Sequence, residues 1–167
     1  MRLGLFIGLL GILMVLVGCS GNGGGGSGSS PATSLAQIIY KARNDAGKPI
    51  EYSSVLAKVA QKYADEIAKN PTLSPTAHSS AEIHADVAAI DSAYAAKISG
   101  EVEIDVVDTA EKAGNANLVW ENHLKNNTTI NDGSLDQFGV GFAYFDHDFG
   151  TGNKRYFVWV VIMANKN

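Results

Sequence analysis

From Leu3 to Val17 the chain is almost unbroken apolar sequence behind a short positive start, Met1-Arg2, and the run stops at Gly18-Cys19. A membrane-spanning helix needs about 20 such residues. The run is too short for that and has the shape of an export leader, removed after translocation. Ser20 to Ser30, SGNGGGGSGSS, has no side chain that could join a core. It predicts a flexible tether with an r.m.s. span on the order of 18 Å. Periodic sequence begins only after it.

Helical spacing comes first. Ser34-Leu35-Ala36-Gln37 has the form of a capping box, and Leu35, Ile38, Ile39 and Ala42 recur on one side until Gly47 and Pro49 end the run. The stripe Leu56, Val59, Ala60, Tyr63, Ala64, Ile67 predicts a second helix, starting near Ser53 or Ser54 and closed by Asn70-Pro71. A third is predicted from the capping box at Ser79-Ser80-Ala81-Glu82 to Gly100, with Ile83, Val87, Ile90 and Tyr94 turned inward. A fourth, capped by Asp108, carries Ala113, Ala116, Trp120 and Leu124 on one side.

Between the third and fourth helices the period drops to two. Val102, Ile104 and Val106 alternate with Glu101, Glu103 and Asp105, which predicts a strand with one apolar and one acidic face. Phe138, Val140, Phe142 and Tyr144 form a second strand, in which Gly139 and Gly141 share a face and call for a close neighbour above them. The segment from Asp146 to Asn153 predicts a hairpin loop. Tyr156 to Met163 is apolar on both faces, and such a strand must be covered on both sides. The expectation is an α+β domain, a three-layer α-β-α sandwich around a small antiparallel sheet. The pairing of its first strand is left open. Its boundaries are read as 1–18 leader, 19–32 tether and 33–167 folded domain.

Composition sharpens the picture at one residue. Cys19 is the one cysteine of the chain, so no disulfide can form within it. Leu16-Val17-Gly18-Cys19 resembles the lipobox of bacterial lipoproteins, which implies cleavage before Cys19 and acylation of its thiol. Two or more acyl chains, at about 0.8 kcal/mol per buried methylene, make a stable anchor. The implied partner is a lipid bilayer on its extracytoplasmic side; in a Gram-negative cell, Ser20 after the cysteine resembles the outer-membrane sorting pattern. Loss of Arg2 with the leader leaves 12 of the 13 basic residues against 17 acidic ones, a net charge of −5. So acidic a protein is a poor binder of nucleic acid.

The order of elements and several phrases together resemble the CAP superfamily of cysteine-rich secretory proteins, antigen 5 and pathogenesis-related 1 proteins, over about Leu35 to Ala164. Arg43, Gly47 and Pro49-Ile50 stand as the family's R-x-x-x-G-x-x-P/L phrase, and His78-Ser79 as its loop histidine. Gly100-Glu101-Val102 matches two positions of its G-E-N phrase. Trp120 ends the fitting helix, and Gly139-Val140-Gly141-Phe142-Ala143 repeats the G-V-G-x-A phrase. The resemblance implies a central cleft where two histidines and two acidic residues can hold a divalent metal, commonly zinc.

By motif this chain supplies part of that set. His78 and Glu101 match, Asn126 stands where the second histidine is expected, and His123 lies three residues before it on the same predicted helix face. Either His123 substitutes or the site is degenerate. Without the resemblance, His78 reads as a solvated loop histidine, His123 as an exposed helix residue, and Glu101, Glu103 and Asp105 as a solvated strand face. Asp146-His147-Asp148 offers ligands for a cation, although a polar hairpin tip beside Gly150 and Gly152 explains it better. Trp120, Phe157 and Trp159 read as core.

No G-x-S-x-G elbow, H-E-x-x-H pair or phosphate-binding glycine loop occurs, and acylation would consume the one thiol, so no motif supports an enzyme. Three readings remain: a membrane-anchored binding module whose cleft takes a divalent metal, a small lipid or a peptide; a metal-dependent hydrolase in the same cleft; and a non-catalytic scaffold that displays loops to a partner.

Overall fold

The computed structural model describes residues 29–108 and 114–166, with the side chains of 101–108 outside the description. The leader, Cys19 and most of the tether lie outside the described residues. Ten elements follow in order: α1 (Pro31–Asp45), β1 (Glu51–Tyr52), α2 (Ser54–Lys69), α3 (Ser80–Ile90), α4 (Ser92–Ala95), β2 (Ile98–Asp108), α5 (Ala116–Val119), α6 (Thr128–Asn131), β3 (Gln137–His147) and β4 (Lys154–Lys166). A π-helical turn over Trp120–Leu124 continues α5.

The sheet has the order β1-β3-β4-β2. The doubly apolar strand, β4, is central and runs antiparallel to both β3 and β2. This settles the partner of the first predicted strand. One expectation changes, because β1 pairs parallel to β3 at Glu51–Gln137 and Tyr52–Phe138, so the sheet is mixed. A strand of two residues has no period to read.

Alternation along β4 divides the core. Val158, Val160, Ile162 and Ala164 meet Leu56, Val59, Ala60 and Tyr63 of α2 and Ile83 and Val87 of α3. Trp159, Val161 and Met163 meet Leu35 and Ile39 of α1 together with Val119, Trp120 and Leu124. The three-layer α+β sandwich is thus present, with one core on each side of the sheet.

The close neighbour that the glycines of β3 call for is the backbone of α2. A Cβ on Gly139 would lie 2.1 Å from the Ala57 nitrogen, and one on Gly141 would lie 2.2 Å from the Ala60 oxygen. Where β1 no longer covers the edge of β3, Gln61 does so from α2. Its amide donates to the Phe142 carbonyl (2.8 Å) and accepts from the Phe142 N–H (3.1 Å). An edge so occupied is a poor template for another strand.

Several boundaries move for local reasons. Ser30 caps α1 and Pro31 begins it, so the helix starts ahead of the Ser34 box and shortens the tether. Asp91 ends α3 and caps α4, which leaves Ile90 exposed instead of inward. Asp108 is the last residue of β2, and Asn115 caps α5.

Candidate functional site

At the sheet end where β2 begins and β4 stops, a cleft of about 210 Å³ opens between Ser80, Ser99, Gly100, Asp132, Ser134, Leu135 and Asn165. Three hydroxyls, a carboxylate and an amide make this lining polar. One wall is the first turn of α3. There Ser79 and Glu82 complete the capping box, and Ser80 Oγ donates to the Gly100 carbonyl at 2.6 Å. A Cβ on Gly100 would stand 3.3 Å from Ile83 Cγ2, a tight contact.

The opposite wall, residues 130–135, is held from beneath by Arg43. This side chain is 1% exposed. It donates from Nη1 to the carbonyls of Ile130 and Asp132 (both 2.7 Å), from Nη2 to that of Leu135 (2.6 Å), and from Nε to that of Lys48 (3.1 Å). Burial draws the guanidinium pKa down, and the Asp132 charge works against that. A planar fork of donors suits such a set of carbonyls. Asp132 itself accepts from Ser134 N and Oγ (both 2.8 Å), which holds its carboxyl below the ordinary range.

His78 precedes this wall and is half-buried. Its ring lies flat on that of Tyr63, with centroids 3.5 Å apart and planes 9° from parallel. Tyr63 Oη is buried and has no hydrogen-bond partner of good geometry among the described residues. Burial first, then the nearby Asp86 carboxylate, pushes that hydroxyl well above its ordinary value. Burial would also raise Asp86, but the bond from Lys62, the Tyr63 hydroxyl and the charges of Lys62 and His78 outweigh it and leave its carboxyl lowered. An acid-base cluster on α2 and α3 thus borders the loop that carries His78.

The hydrogen bond from Ser80 to Gly100 brings the His78-Ser79-Ser80 and Gly100-Glu101 segments side by side. Glu101 pairs in the ladder with Met163, and its carboxylate falls outside the described side chains. His123 and Asn126 are not brought to them. Both are exposed, on the stretch whose Trp120 and Leu124 enter the α1-side core, whereas Tyr63 beneath His78 belongs to the α2-side core. The shared helix face expected of the pair is also absent, because the π turn stops at Leu124 and Asn126 sits in the turn leading to Asn127, the cap of α6.

Among the described residues no three His, Cys, Asp or Glu side chains gather as a metal site would require. The Asp146-His147-Asp148 segment is a hairpin tip: Asp146 takes Arg155 in a two-pronged ion pair (2.8 and 2.9 Å), and Asp148 accepts from Gly150 N and Gly152 N.

Sequence reading missed Arg43 as the support of the cleft and the stacking of His78 on Tyr63. The phrase of Arg43, Gly47 and Pro49-Ile50 marked the first. Nothing in the sequence marked the second, since a buried helical tyrosine and a loop histidine carry no common spacing.

Comparison with known proteins agrees with this architecture. The chain is similar in fold to an outer surface protein from Borrelia burgdorferi, with a TM-score of 0.52 at 15% identity over 82% of this chain and 93% of that one. No curated protein matches it. The family model described as "CAP: Cysteine-rich secretory protein family" matches residues 39–163, from within α1 almost to the end of β4. The chain therefore belongs to the CAP family of cysteine-rich secretory proteins.

Proposed function

We propose that this protein is an extracytoplasmic binding module, anchored to a membrane through acylated Cys19, that takes a small polar ligand in the cleft at the end of its sheet. The observation that carries this reading is the lining. Ser80, Ser99, Ser134, Asp132 and Asn165 present hydroxyl, carboxylate and amide groups to a space of about 210 Å³. That suits a sugar hydroxyl or a peptide end, which can hydrogen-bond to this lining, better than an acyl chain, which cannot. Among the described residues no helix is long and apolar enough to cross a membrane.

Two probes test the cleft. N-acetyl-trialanine and zinc chloride are titrated separately into the chain that starts at residue 19 with Cys19→Ser, followed by amide NMR. The expected result is that the peptide shifts Ser80, Ser99, Gly100, Ser134 and Asn165 together. Zinc shifts that centre on His78 and vanish in His78→Ala but persist in Ser80→Ala would replace this reading with the metal cleft. Anchoring is tested apart from the cleft, by the mass of the N-terminal peptide of the exported protein, which must carry acyl chains on Cys19.

A further inference from the structure

The end of the sheet opposite the cleft carries aromatic side chains that helices leave partly uncovered. On the α1 side, cross-strand pairs Phe142–Trp159 and Tyr144–Phe157 form a strip running toward the hairpin tip. Phe142 lies 4.6 Å from Trp159 and 6.1 Å from Phe157, and Tyr144 lies 6.2 Å from Phe157, all centroid to centroid. Tyr144 is 57% exposed. Arg155 closes the strip, its guanidinium 4.8 Å from the Tyr144 ring and paired with Asp146. On the other face of the hairpin Phe149 is half-buried against Tyr156. Aromatic rings edged by arginine are the side chains that settle at the boundary of lipid and water.

The tether arrives at this same end. The C-terminal part of α1 is fixed by Arg43 to the residues just before β3, so its start lies toward the hairpin. A Cβ on Gly114 would lie 4.0 Å from Pro31 Cγ; Gly114 follows the end of β2 closely in sequence, and Asp108 at that end pairs with Tyr156 beside the hairpin. Ala32 packs in the same cluster as Phe142 and Phe157. Residues 20–29 are serine, glycine and asparagine alone, with nothing apolar to cover the strip.

We infer that the anchored protein rests its hairpin end in the interface of the bilayer, with Phe142, Tyr144 and Phe157 against the lipid, so that the cleft faces away from the membrane. The inference rests on the anchoring of Cys19 proposed above. A short flexible linker to an anchor gives an effective concentration in the millimolar range. A strip too weak to hold a free domain on vesicles is then enough to orient a tethered one. The sheet sets the height, since β4 from Lys154 to Lys166 spans roughly 40 Å at about 3.3 Å per residue.

The test uses the acylated protein in vesicles of phosphatidylethanolamine and phosphatidylglycerol. A nitroxide is placed at Thr151→Cys on the hairpin or at Gly133→Cys beside the cleft, Cys19 being blocked by its lipid. Relative to the non-acylated Cys19→Ser chain in solution, the Thr151 label should lose most of its access to a water-soluble nickel chelate. The Gly133 label should keep its access. Tyr144→Glu should restore access at Thr151 and Tyr144→Trp should not, with circular dichroism showing both folded. Equal access at the two labels in the anchored protein overturns the orientation. So does a dimer of the soluble chain that Tyr144→Glu dissolves, which would assign the strip to a second copy. An unmodified Cys19 in the mass spectrum fails the anchoring reading instead and is seen without any label.

Discussion

Arg43 shows how one side chain can set the shape of a site it does not enter. Its hydrogen bonds go to carbonyls, each one charge-assisted. Arg43→Met keeps the stem and removes every donor, and should cost about 3–5 kcal/mol in urea unfolding. Arg43→Lys should recover only part of this, because an ammonium cannot reproduce the planar fork. A loss under about 1 kcal/mol for the methionine variant would show the carbonyls to be satisfied without it. The arginine was readable in its phrase but its task was not, because carbonyls 87 to 92 residues away leave no mark on sequence. Gly139 is the opposite case, legible in full. Its place on a strand predicted a close neighbour, and α2 supplies one so near that Gly139→Ala should cost at least the ~3 kcal/mol at the upper end of overpacking. Thermal unfolding of that variant checks it.

At the scale of elements, α2 and α3 meet both through their apolar stripes and through Lys62, which bridges Asp86 and reaches Glu66 at 3.8 Å. The lowered folded pKa of Asp86 fixes the sign of its pH dependence. The unfolded chain takes up this proton near the ordinary value of about 3.9, the folded chain only at lower pH. The contribution is therefore complete at neutral pH and is lost as pH falls from the unfolded toward the folded value. Asp86→Asn should lower stability at pH 7 and flatten the decline below about pH 4 in chemical denaturation; an unchanged acid limb would refute the assignment. Helices with strong stripes, such as α2, were legible to within a residue, from the Ser53 cap to Asn70. Where burial is shallow the pattern misled. Ile90 and Tyr94 kept helical spacing across Asp91, yet Asp91 caps a new helix there. The helix face expected of His123 and Asn126 changes for a related reason: their i, i+3 spacing assumes a continuing α-helix, and the π turn ends first.

For the whole molecule, the lack of any disulfide leaves the fold to two apolar clusters that share β4. Neither side of the sheet has a strand of its own, so losing one core strips a face of β4 and exposes the other. Unfolding should therefore be a single transition. Both tryptophans, Trp120 and Trp159, lie in the α1-side core, so their fluorescence reports that side alone, while far-ultraviolet circular dichroism sums all the helices. The informative change is made on the opposite side. Leu56→Ala removes a fully buried side chain from the α2-side core and should cost about 2–5 kcal/mol. If the two cores are one cooperative unit, the midpoint read by tryptophan shifts as far as the midpoint read by circular dichroism, although no tryptophan touches that core. A tryptophan midpoint that stays in place while the helical signal falls earlier would instead divide the molecule at the sheet. The α1 layer, which carries the tether and the Arg43 support of the cleft, would then stand without its partner.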